Sequence, residues 1–337
     1  MTGRDPQQAI AVIGAGSWGT ALALHMAASG RQCYLWGHDT GHQEEMLASH
    51  SNERFLPGIP FPEPLKVILS LDELPSSLTR FLVVVPSHAF RSVMRLLREQ
   101  DRLQAELIAW GTKGLELETC NLMSDIATEE LPDSVMRAVI SGPSFAGEVA
   151  RGMPTAVAVA SSSPDTATEV ASWLHHGNFR AYTLEDMAGV QLGGALKNVM
   201  AIAAGISDGL GFGANARAAL ITRGLAEISR LAGALGGQPE TFMGLAGLGD
   251  LVLTCTDNQS RNRRCGLGLG AGKLLDEVVA EIGQEVEGIQ SAAAGWELSR
   301  KHGVTMPITE QVYKVLYEGL PADDAVQNLL HRDQTHE

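Results

Sequence analysis

The start of the chain limits the fold most strongly, because an apolar run passes there into a glycine-rich turn and then into a helical pattern. Ile10–Ile13 has the composition of a buried strand, Gly14–Gly19 has the spacing G-x-G-x-x-G, and Thr20–Ser29 is predicted to be helical. In such a turn the first glycine permits a tight bend, the second lets backbone N–H groups approach a pyrophosphate, and the third lets helix and strand pack closely. We therefore predict a dinucleotide-binding unit, in preference to a purely structural glycine turn.

Apolar runs of strand length recur between helical patterns through the first half of the chain, and this alternation predicts a parallel sheet built from βαβ units. The last two runs flank a helix predicted near Asp165–Leu174 and are expected to extend the same sheet. The predicted strands are Ala9–Ile13, Gln32–Trp36, Lys66–Leu69, Phe81–Val85, Ala105–Trp110, Arg137–Ile140, Thr155–Ala160 and Asn178–Tyr182.

Beyond about Glu185 the strand patterns stop, and the sequence becomes rich in Ala, Gly and Leu at helical spacing, as in Ala216–Leu231. A chain of 337 residues is long enough for two domains. The expected fold class is α/β, with a Rossmann-like doubly wound sheet at residues 1–187 and an all-helical, substrate-binding domain at residues 188–337. The last residues, His331–Glu337, are expected to form a solvated tail.

Composition and charge exclude several classes of protein. Hydrophobic residues make up 45% and charged residues 19% of the chain, which excludes wholesale disorder. A formal net charge of −14 opposes general attraction to nucleic acid or to anionic lipid, so any anionic ligand needs a local basic cluster. The polar first residues lack the apolar core of a signal peptide, and no later apolar stretch suggests membrane insertion. We expect a cytoplasmic protein.

Four cysteines are scattered along the chain without C-x-x-C spacing, so neither a zinc site nor a disulfide framework is indicated. We expect reduced, structural thiols and no metal. The cysteines are Cys33, Cys120, Cys255 and Cys265.

The end of the second predicted strand bears on the choice of cofactor. Asp39 lies 20 residues beyond Gly19, near where an acidic residue would bind the ribose 2′-hydroxyl of NAD. His38 beside it could instead face the 2′-phosphate of NADP. Asp39 could equally serve only as a cap for a helix at Gly41–Ser49. The preference between the two cofactors therefore stays open.

Two lysines are candidates for proton transfer to a ketone oxygen. Lys197 is the only charged side chain between Asp186 and Asp208, so its helix is expected to be buried on most faces. Burial lowers the pKa of a lysine and makes it a usable acid and base near neutral pH, although the side chain could also extend to the surface along its own stem. Lys113 follows a predicted strand at the carboxyl edge of the sheet, where it could face the cofactor or simply be a solvated loop residue.

An unusually basic turn in this acidic chain spans Ser260–Arg264, with three arginines within four residues. Arginine forks beside an Asn amide match the geometry and charge of a phosphate. The alternative is a solvated helix start with Ser260 as its cap and arginines paired to surface carboxylates. Asp250, just upstream, could orient a lysine or cap a helix.

Seven motifs follow one another along the chain: Gly14–Gly19, Val83–His88, Thr112–Gly114, Ser141–Ala146, Leu196–Val199, Gly249–Asp250 and Ser260–Arg263. Taken together, these motifs closely resemble those of the NAD(P)-dependent glycerol-3-phosphate dehydrogenases of the bacterial type, from about Ala9 to about Leu330. The resemblance implies reversible reduction of dihydroxyacetone phosphate, a phosphorylated triose, to sn-glycerol 3-phosphate for phospholipid synthesis. It also implies NAD(P) as cofactor and a homodimer as the usual assembly.

The resemblance also implies roles for individual residues. Lys197 would be the catalytic proton donor, with Lys113 beside the substrate and Asp250 supporting both. The further substrate-binding residues would be Gly142, Ser144, Ser260, Arg261 and Asn262. The cofactor-binding residues would be Gly14, Gly16, Ser17, Trp18, Gly19, His38, Lys113, Ala146, Arg261, Glu285 and Glu287; relatives usually have an apolar residue at position 285, so a backbone contact is the open alternative for Glu285.

Two other functions compete with this one. A redox-sensing protein would bind a dinucleotide without turning it over, but sensing requires neither a buried Lys197 nor the cluster around Arg261. A β-hydroxy acid dehydrogenase would keep the chemistry and change the substrate, since an arginine can bind a carboxylate as well as a phosphate.

Overall fold

The computed structural model describes residues 8–100 and 104–332. The N-terminal residues on which the signal-peptide expectation rests, and most of the predicted C-terminal tail, lie outside these ranges. Of the predicted tail, only His331 and Arg332 are described, and both are exposed.

The chain divides into two compact units. The first takes in the chain up to Thr112 together with Met123–Met187, and the second takes in Lys113–Leu122 and the chain from Ala188 onward. The sequence analysis placed residues 113–122 in the first domain. The structure assigns them to the second unit because Leu115, Cys120 and Leu122 are buried in its helical core.

The first unit is built on an eight-stranded sheet of order β10-β9-β8-β7-β6-β1-β2-β5, with a separate hairpin of β3 and β4. Each predicted strand is present, with ends that differ by up to two residues. The strands are β1 Ile10–Ile13, β2 Cys33–Trp36, β3 Ser51–Asn52, β4 Leu56–Pro60, β5 Leu65–Val67, β6 Arg80–Val83, β7 Leu107–Trp110, β8 Met136–Ser141, β9 Thr155–Ala160 and β10 Phe179–Leu184.

The prediction of a wholly parallel sheet is wrong at one junction, because β8 and β9 pair antiparallel. The only helix between them, α5, spans Ala146–Ala150. Five helical residues advance the chain by about 7 Å, whereas a six-residue strand is about 20 Å long. Helix α5 alone therefore does not span the length of a strand, and β9 runs back beside β8.

Helices pack on the sheet and complete the α/β unit. Helix α6 begins with Ser163 as its cap and proline in its first turn, as the sequence predicts. The core beneath the helices is formed by β1, β2, β6, β7 and β8 with the buried face of α1. The helices of this unit are α1 Ser17–Ala28, α2 Thr40–Ser49, α3 Ser87–Arg98, α4 Met123–Glu130, α5 and α6 Pro164–Leu174, with a 3₁₀ turn at Leu71–Glu73.

The described part of the second unit contains helices and no strand, as predicted. A π-helical turn at Leu245–Gly249 precedes α10. The helices are α7 Met187–Gly209, α8 Ala214–Ala234, α9 Pro239–Phe242, α10 Asp250–Thr256, α11 Arg261–Gly270, α12 Leu275–Ile282, α13 Glu287–Lys301, α14 Pro307–Tyr317 and α15 Ala322–Leu330.

Helix α7 is the centre of the second unit and is buried on nearly all faces. By length and composition it could cross a membrane, but its apolar stretch is wholly buried inside the protein. It meets α11 through backbone. A methyl group added to Gly205 would lie 2.2 Å from the carbonyl oxygen of Arg263, and one added to Gly266 would lie 2.0 Å from that of Ile202. Glycine at these positions lets the two helices touch.

Candidate active site

The glycine-rich turn has the geometry predicted from its sequence. A methyl group on Gly14, where φ is +122°, would lie 2.1 Å from the carbonyl oxygen of Val84, and one on Gly19 would lie 1.9 Å from that of Gly14. Gly16 differs, because an added methyl group would meet no atom of the described residues within 4 Å. Helix α1 begins here with no side-chain cap and no acidic residue in its first turn. The turn thus leaves open space before free helix N–H groups, as a pyrophosphate requires.

The β3–β4 hairpin supports this turn, and sequence reasoning missed it. Asn52 is fully buried and its Nδ2 donates to Ala15 O at 2.9 Å and to Thr20 Oγ1 at 2.8 Å. The hydroxyl of Ser17 donates to Phe55 O at 2.8 Å. Within the described chain, the buried indole Nε1 of Trp18 has no hydrogen-bond partner. Such an orphaned donor beside the open turn fits a bound group that accepts a hydrogen bond.

Asp39 caps α2, which is one of the two roles left open for it. Its Oδ1 accepts from the backbone N–H of His42 at 3.1 Å, and its Oδ2 accepts from Arg54 at 3.0 Å. The His42 N–H, aided by Arg54, holds the pKa of Asp39 below its usual value. His38 is exposed at the end of β2.

The turn after β8 lies at the same sheet edge as the glycine-rich turn, because β1, β6, β7 and β8 are parallel. Gly142 has a φ of +145°, and a methyl group on it would lie 3.0 Å from Val157 Cα. The Ser144 hydroxyl donates to Gly142 O at 2.9 Å, and Ala146 begins α5. The predicted contacts of the first unit therefore share one edge.

Three predicted residues meet in the second unit. Lys113 Nζ donates to Asp250 Oδ2 at 2.7 Å, and Lys197 Nζ donates to Asp250 Oδ1. The side chains of Lys113, Lys197 and Asp250 are 14%, 9% and 1% exposed. A buried carboxylate thus lies between two ammonium groups, and we call these three residues the lysine–aspartate cluster.

Thr254 completes this cluster, and sequence reasoning missed it. Its Oγ1 donates to the backbone oxygen of Asp250 at 2.6 Å and accepts from Lys197 at 3.0 Å. The signal was present, because a residue four positions after Asp250 on a helix lies on the same face. Gly193, one turn before Lys197, lets α7 approach the π-helical turn, since a methyl group there would lie 2.4 Å from Ala246 O.

The charges of the cluster shift one another's proton affinity. Burial lowers the pKa of Lys197 to about 8, while Asp250 works against that shift and Lys113 adds to it. Burial alone would raise the pKa of Asp250, but Lys113 and Lys197 outweigh burial and hold the pKa of this carboxyl below its usual value. Asp250 is therefore ionised at neutral pH, and Lys197 can both give and accept a proton there.

A chain of amides joins three helices beside the cluster. Asn262 Nδ2 donates to Asn198 Oδ1 at 2.9 Å, and the N–H of Gly288 donates to Asn262 Oδ1, also at 2.9 Å. Asn198 Nδ2 donates to Glu287 Oε2 at 3.3 Å, and burial raises the pKa of Glu287. Asn198 was not predicted as a site residue. These bonds fix the start of α13 against α7 and α11.

The basic turn forms the helix start that was one of the two roles considered for it. Ser260 caps α11, its Oγ accepting from Arg263 N at 3.2 Å. Arg263 is buried and paired with Asp208 at 2.8 Å. Arg261 is half-buried and donates to Gln284 Oε1 at 3.3 Å. Among the described residues, no carboxylate is a hydrogen-bond partner of Arg261. Glu285 accepts from Gln290 at 3.4 Å.

Two further observations concern metal-binding groups and thiols. Within residues 8–100 and 104–332, no group of three or more His, Cys, Asp or Glu side chains could hold a metal ion. All four cysteines are buried and free, as predicted.

A glycine-rich turn shaped for pyrophosphate in an α/β unit, and a buried lysine poised near neutral pH in a helical unit, define a dinucleotide-dependent oxidoreductase. Comparison with known proteins narrows this class. Residues 9–167 match the family model of the NAD-dependent glycerol-3-phosphate dehydrogenase N-terminus, and residues 186–327 match that of the C-terminus. The chain belongs to this family.

Named relatives agree with the family match. Glycerol-3-phosphate dehydrogenase [NAD(P)+] of Vibrio cholerae is 54% identical over 327 residues, which cover 97% of this chain and 95% of that protein. The enzyme of the same name from Methylococcus capsulatus is 55% identical over 325 residues, 96% of this chain and 97% of that protein. The crystal structure of glycerol-3-phosphate dehydrogenase from Coxiella burnetii is 49% identical, with a TM-score of 0.93, and the match covers 97% of this chain and 100% of that one.

The predicted family, α/β fold with a helical second part, enzyme class, reaction and cofactor class are thereby confirmed. The redox sensor and the β-hydroxy acid dehydrogenase are set aside, since family models of one dehydrogenase match both parts of the chain.

Proposed function

We propose that this chain reduces dihydroxyacetone phosphate to sn-glycerol 3-phosphate through proton donation by Lys197. The observation that carries the proposal is the lysine–aspartate cluster, in which a buried ammonium with a pKa of about 8 is held by an ionised carboxylate. A bound nicotinamide supplies or accepts the hydride. Charge develops on the ketone oxygen as the hydride reaches its carbon, and a proton donor within hydrogen-bond reach is then required.

The proton moves between two atoms. In reduction, an N–H bond of the Lys197 ammonium breaks and an O–H bond forms on the former ketone oxygen, which leaves a neutral amine that solvent protonates again. In oxidation, the neutral amine accepts the hydroxyl proton while the hydride leaves. A pKa near 8 makes both forms accessible near neutral pH, so the same group serves both directions.

Asp250 and Thr254 position this ammonium, while Lys113 adds a second positive charge beside the substrate. Asp250 contacts both lysines and is almost wholly buried. Thr254 accepts from Lys197 and donates to Asp250 backbone, so its hydroxyl is fixed. A lysine ammonium has three N–H bonds, and the one that Asp250 and Thr254 do not use remains for the substrate oxygen.

The other predicted site residues are proposed to contact either the substrate or the cofactor. Arg261 is proposed to bind the substrate phosphate, with Ser260 and Asn262 in the same turn and Gly142 and Ser144 in the first unit as further substrate contacts. The proposed cofactor contacts are Gly14, Gly16, Ser17, Trp18, Gly19, His38, Lys113, Ala146, Arg261, Glu285 and Glu287. The open space at Gly16 and the orphaned indole of Trp18 support the first part of this set.

The wider setting is also a proposal. Residues 1–187 would bind the dinucleotide and residues 188–337 the substrate, with Lys113–Leu122 joined to the latter. We propose a cytoplasmic homodimer whose product enters phospholipid synthesis. A net charge of −14 and the burial of α7 support an enzyme without nucleic-acid partners or membrane insertion.

Replacement of Lys197 by alanine tests the proposal. We expect Lys197→Ala to lower kcat by about 10²- to 10⁴-fold with dihydroxyacetone phosphate, the usual worth of a general acid, while the Kd for the reduced cofactor stays near the parent value. The matched control is Lys301→Ala, an exposed lysine at the end of α13, which should leave kcat unchanged. Turnover of Lys197→Ala within a few fold of the parent would show that Lys197 is not the acid.

The substrate itself is tested on the parent protein. Oxidation of NADH and of NADPH is followed with dihydroxyacetone phosphate and with a small panel of β-keto acids. We expect turnover with the phosphorylated triose alone. Turnover with a keto acid instead would overturn the proposed substrate and leave the proton-transfer role intact.

A further inference from the structure

Arg54 lies in the turn between β3 and β4 and has no role in the function proposed above. Its side chain is 56% exposed, and its Nη1 donates to Asp39 Oδ2 at 3.0 Å. The guanidinium carbon lies 5.2 Å from the centre of the Phe55 ring, which supports its flat face. The chain thus presents a planar cation at the protein surface, held by one carboxylate and one aromatic ring.

The backbone on both sides of Arg54 is tied to the glycine-rich turn. Asn52 donates to Ala15 O at 2.9 Å, and Phe55 O accepts from Ser17 at 2.8 Å. Asn52 Oδ1 also accepts from Phe55 N at 3.2 Å, which closes the turn around Arg54. The position of this guanidinium is therefore set relative to the residues that would bind the pyrophosphate.

The partner of Arg54 marks the ribose end of that site. In a sheet of this kind, an acidic residue about 20 positions after the last glycine of the turn binds the adenosine ribose, and an arginine nearby accommodates a 2′-phosphate. Asp39 stands at that position, after β2, with Oδ1 occupied by the helix cap and Oδ2 by Arg54. Arg54 is consequently placed beside the one group that distinguishes NADP from NAD.

The chemistry of the pair suits exchange between the two cofactors. A 2′-phosphate carries up to two negative charges and accepts two parallel N–H bonds from a guanidinium. The Asp39 side chain is 45% exposed, and ion pairs exposed to solvent contribute little to stability. Arg54 can therefore exchange its ion pair with Asp39 for one with a phosphate at a small cost in free energy. The Asp39 carboxylate, which would repel the phosphate, then turns away from it.

We propose that Arg54 binds the 2′-phosphate of NADP and that the Asp39–Arg54 pair determines the balance between the two cofactors. With NAD, Asp39 accepts from the ribose hydroxyl and Arg54 remains its counter-ion. With NADP, the guanidinium turns to the phosphate. The inference rests on dinucleotide binding by the first unit and is independent of the role of Lys197.

Binding of two fragments, measured by calorimetry on the full chain, tests this inference without turnover. The probes are 2′,5′-ADP, which carries the 2′-phosphate, and 5′-ADP, which lacks it. We expect Arg54→Ala to weaken 2′,5′-ADP by roughly 10- to 100-fold, the usual worth of charged hydrogen bonds, and to change 5′-ADP by less than about threefold. Arg54→Lys should recover part of the loss, because an ammonium restores charge without the planar fork.

Three variants sharpen the comparison. Asp39→Asn should shift the ratio of the two affinities toward 2′,5′-ADP, because it removes the charge that repels the phosphate. Arg300 on α13 is exposed to a similar degree and also pairs with a carboxylate, and Arg300→Ala should change neither affinity. His38→Ala tests the other candidate at this edge, and we expect it to have the smaller effect on 2′,5′-ADP.

The outcomes are distinct. Equal weakening of both probes by Arg54→Ala would overturn the inference and make Arg54 a support of the glycine-rich turn. A selective loss in His38→Ala with none in Arg54→Ala would transfer the role to His38. Failure of the parent to bind 5′-ADP, NADH and NADPH would instead overturn dinucleotide binding itself, on which the inference rests.

Discussion

The glycine-rich turn and the lysine–aspartate cluster prepare a protein for charged ligands in opposite ways. The turn uses six consecutive residues, carries no charged side chain and offers backbone N–H groups into open space. The cluster draws on Lys113, Lys197 and Asp250, which lie far apart in sequence, and buries their charges against one another.

This difference determines what each region tolerates. The turn should be indifferent to pH but sensitive to a single added methyl group, because its function depends on empty space. The cluster should respond to any change of charge or proton affinity, because its members set one another's pKa values. Three substitutions test this contrast, and the largest effect is expected at the cluster.

Loss of the Asp250 charge should impair the cluster most severely. Asp250→Asn leaves two ammonium groups side by side, so the pKa of Lys197 should fall below 8 and reduction at pH 7 should slow by about 10²- to 10⁴-fold. Removing one member of a buried ion pair also costs about 3–5 kcal/mol in the free energy of unfolding. The measurements are kcat against pH in both directions and denaturant unfolding.

The sign of the pH effect follows from the form of Lys197 that reacts. Reduction needs the ammonium, so in the parent kcat should fall as pH rises through about 8, whereas oxidation needs the amine and should rise over the same range. In Asp250→Asn both limbs should move to lower pH. If the pH dependence of kcat in either direction does not shift in Asp250→Asn, the titration of this cluster does not control the activity.

Removal of the Arg261 charge, which lies outside the lysine–aspartate cluster, should have the next largest effect. Arg261→Ala should lower kcat/KM for dihydroxyacetone phosphate by roughly 10- to 150-fold, since charged hydrogen bonds contribute about 1.5–3 kcal/mol. Dihydroxyacetone lacks the phosphate and should be a poor substrate that loses little more in the variant. Arg261→Lys should recover part of the loss. Equal proportional losses on both ketones would group Arg261 with the cofactor contacts instead.

Gly16→Ala should produce the smallest effect and the most selective one. Its added methyl group meets no protein atom within 4 Å, so the melting temperature should not change. The group would instead occupy the space for the pyrophosphate, and cofactor affinity should fall by roughly 10-fold, or about 1.4 kcal/mol. Gly14→Ala is the contrasting variant, because its methyl group would strike Val84 O at 2.1 Å and should destabilise the fold. Unchanged cofactor binding in Gly16→Ala would exclude this turn as the binding site.

The two regions also differed in what could be predicted from sequence. The glycine-rich turn is local, and its strand, bend and helix follow one another in the chain. Lys197 could be identified as a candidate for a related reason, since a single charged residue in an apolar helix can be recognised in the sequence. The role of Asp39 was not, because the same carboxylate can cap a helix or bind a ribose, and only its neighbours His42 and Arg54 show what it contacts.

Features that depend on distant partners were missed. The segment Lys113–Leu122 joins the second unit because of the core that Leu115 and Leu122 enter, which no local pattern reveals. The β3–β4 hairpin escaped notice because β3 has only two residues and β4 contains proline. The antiparallel β8–β9 pair was missed because the apolar pattern of a strand does not show the direction in which it pairs.

The contact between α7 and α11 fixes the position of one helix along the other. Gly205 and Gly266 bring the two helices together through backbone, so neither can slide without a collision that no side-chain rotation relieves. Lys197 is carried on one of these helices and Arg261 on the other. The contact between the helices therefore fixes the distance between these two residues, and this distance limits the length of a ligand that contacts both. With the roles proposed for Lys197 and Arg261, we expect a substrate one carbon longer or shorter than a triose phosphate to misplace either its carbonyl or its phosphate.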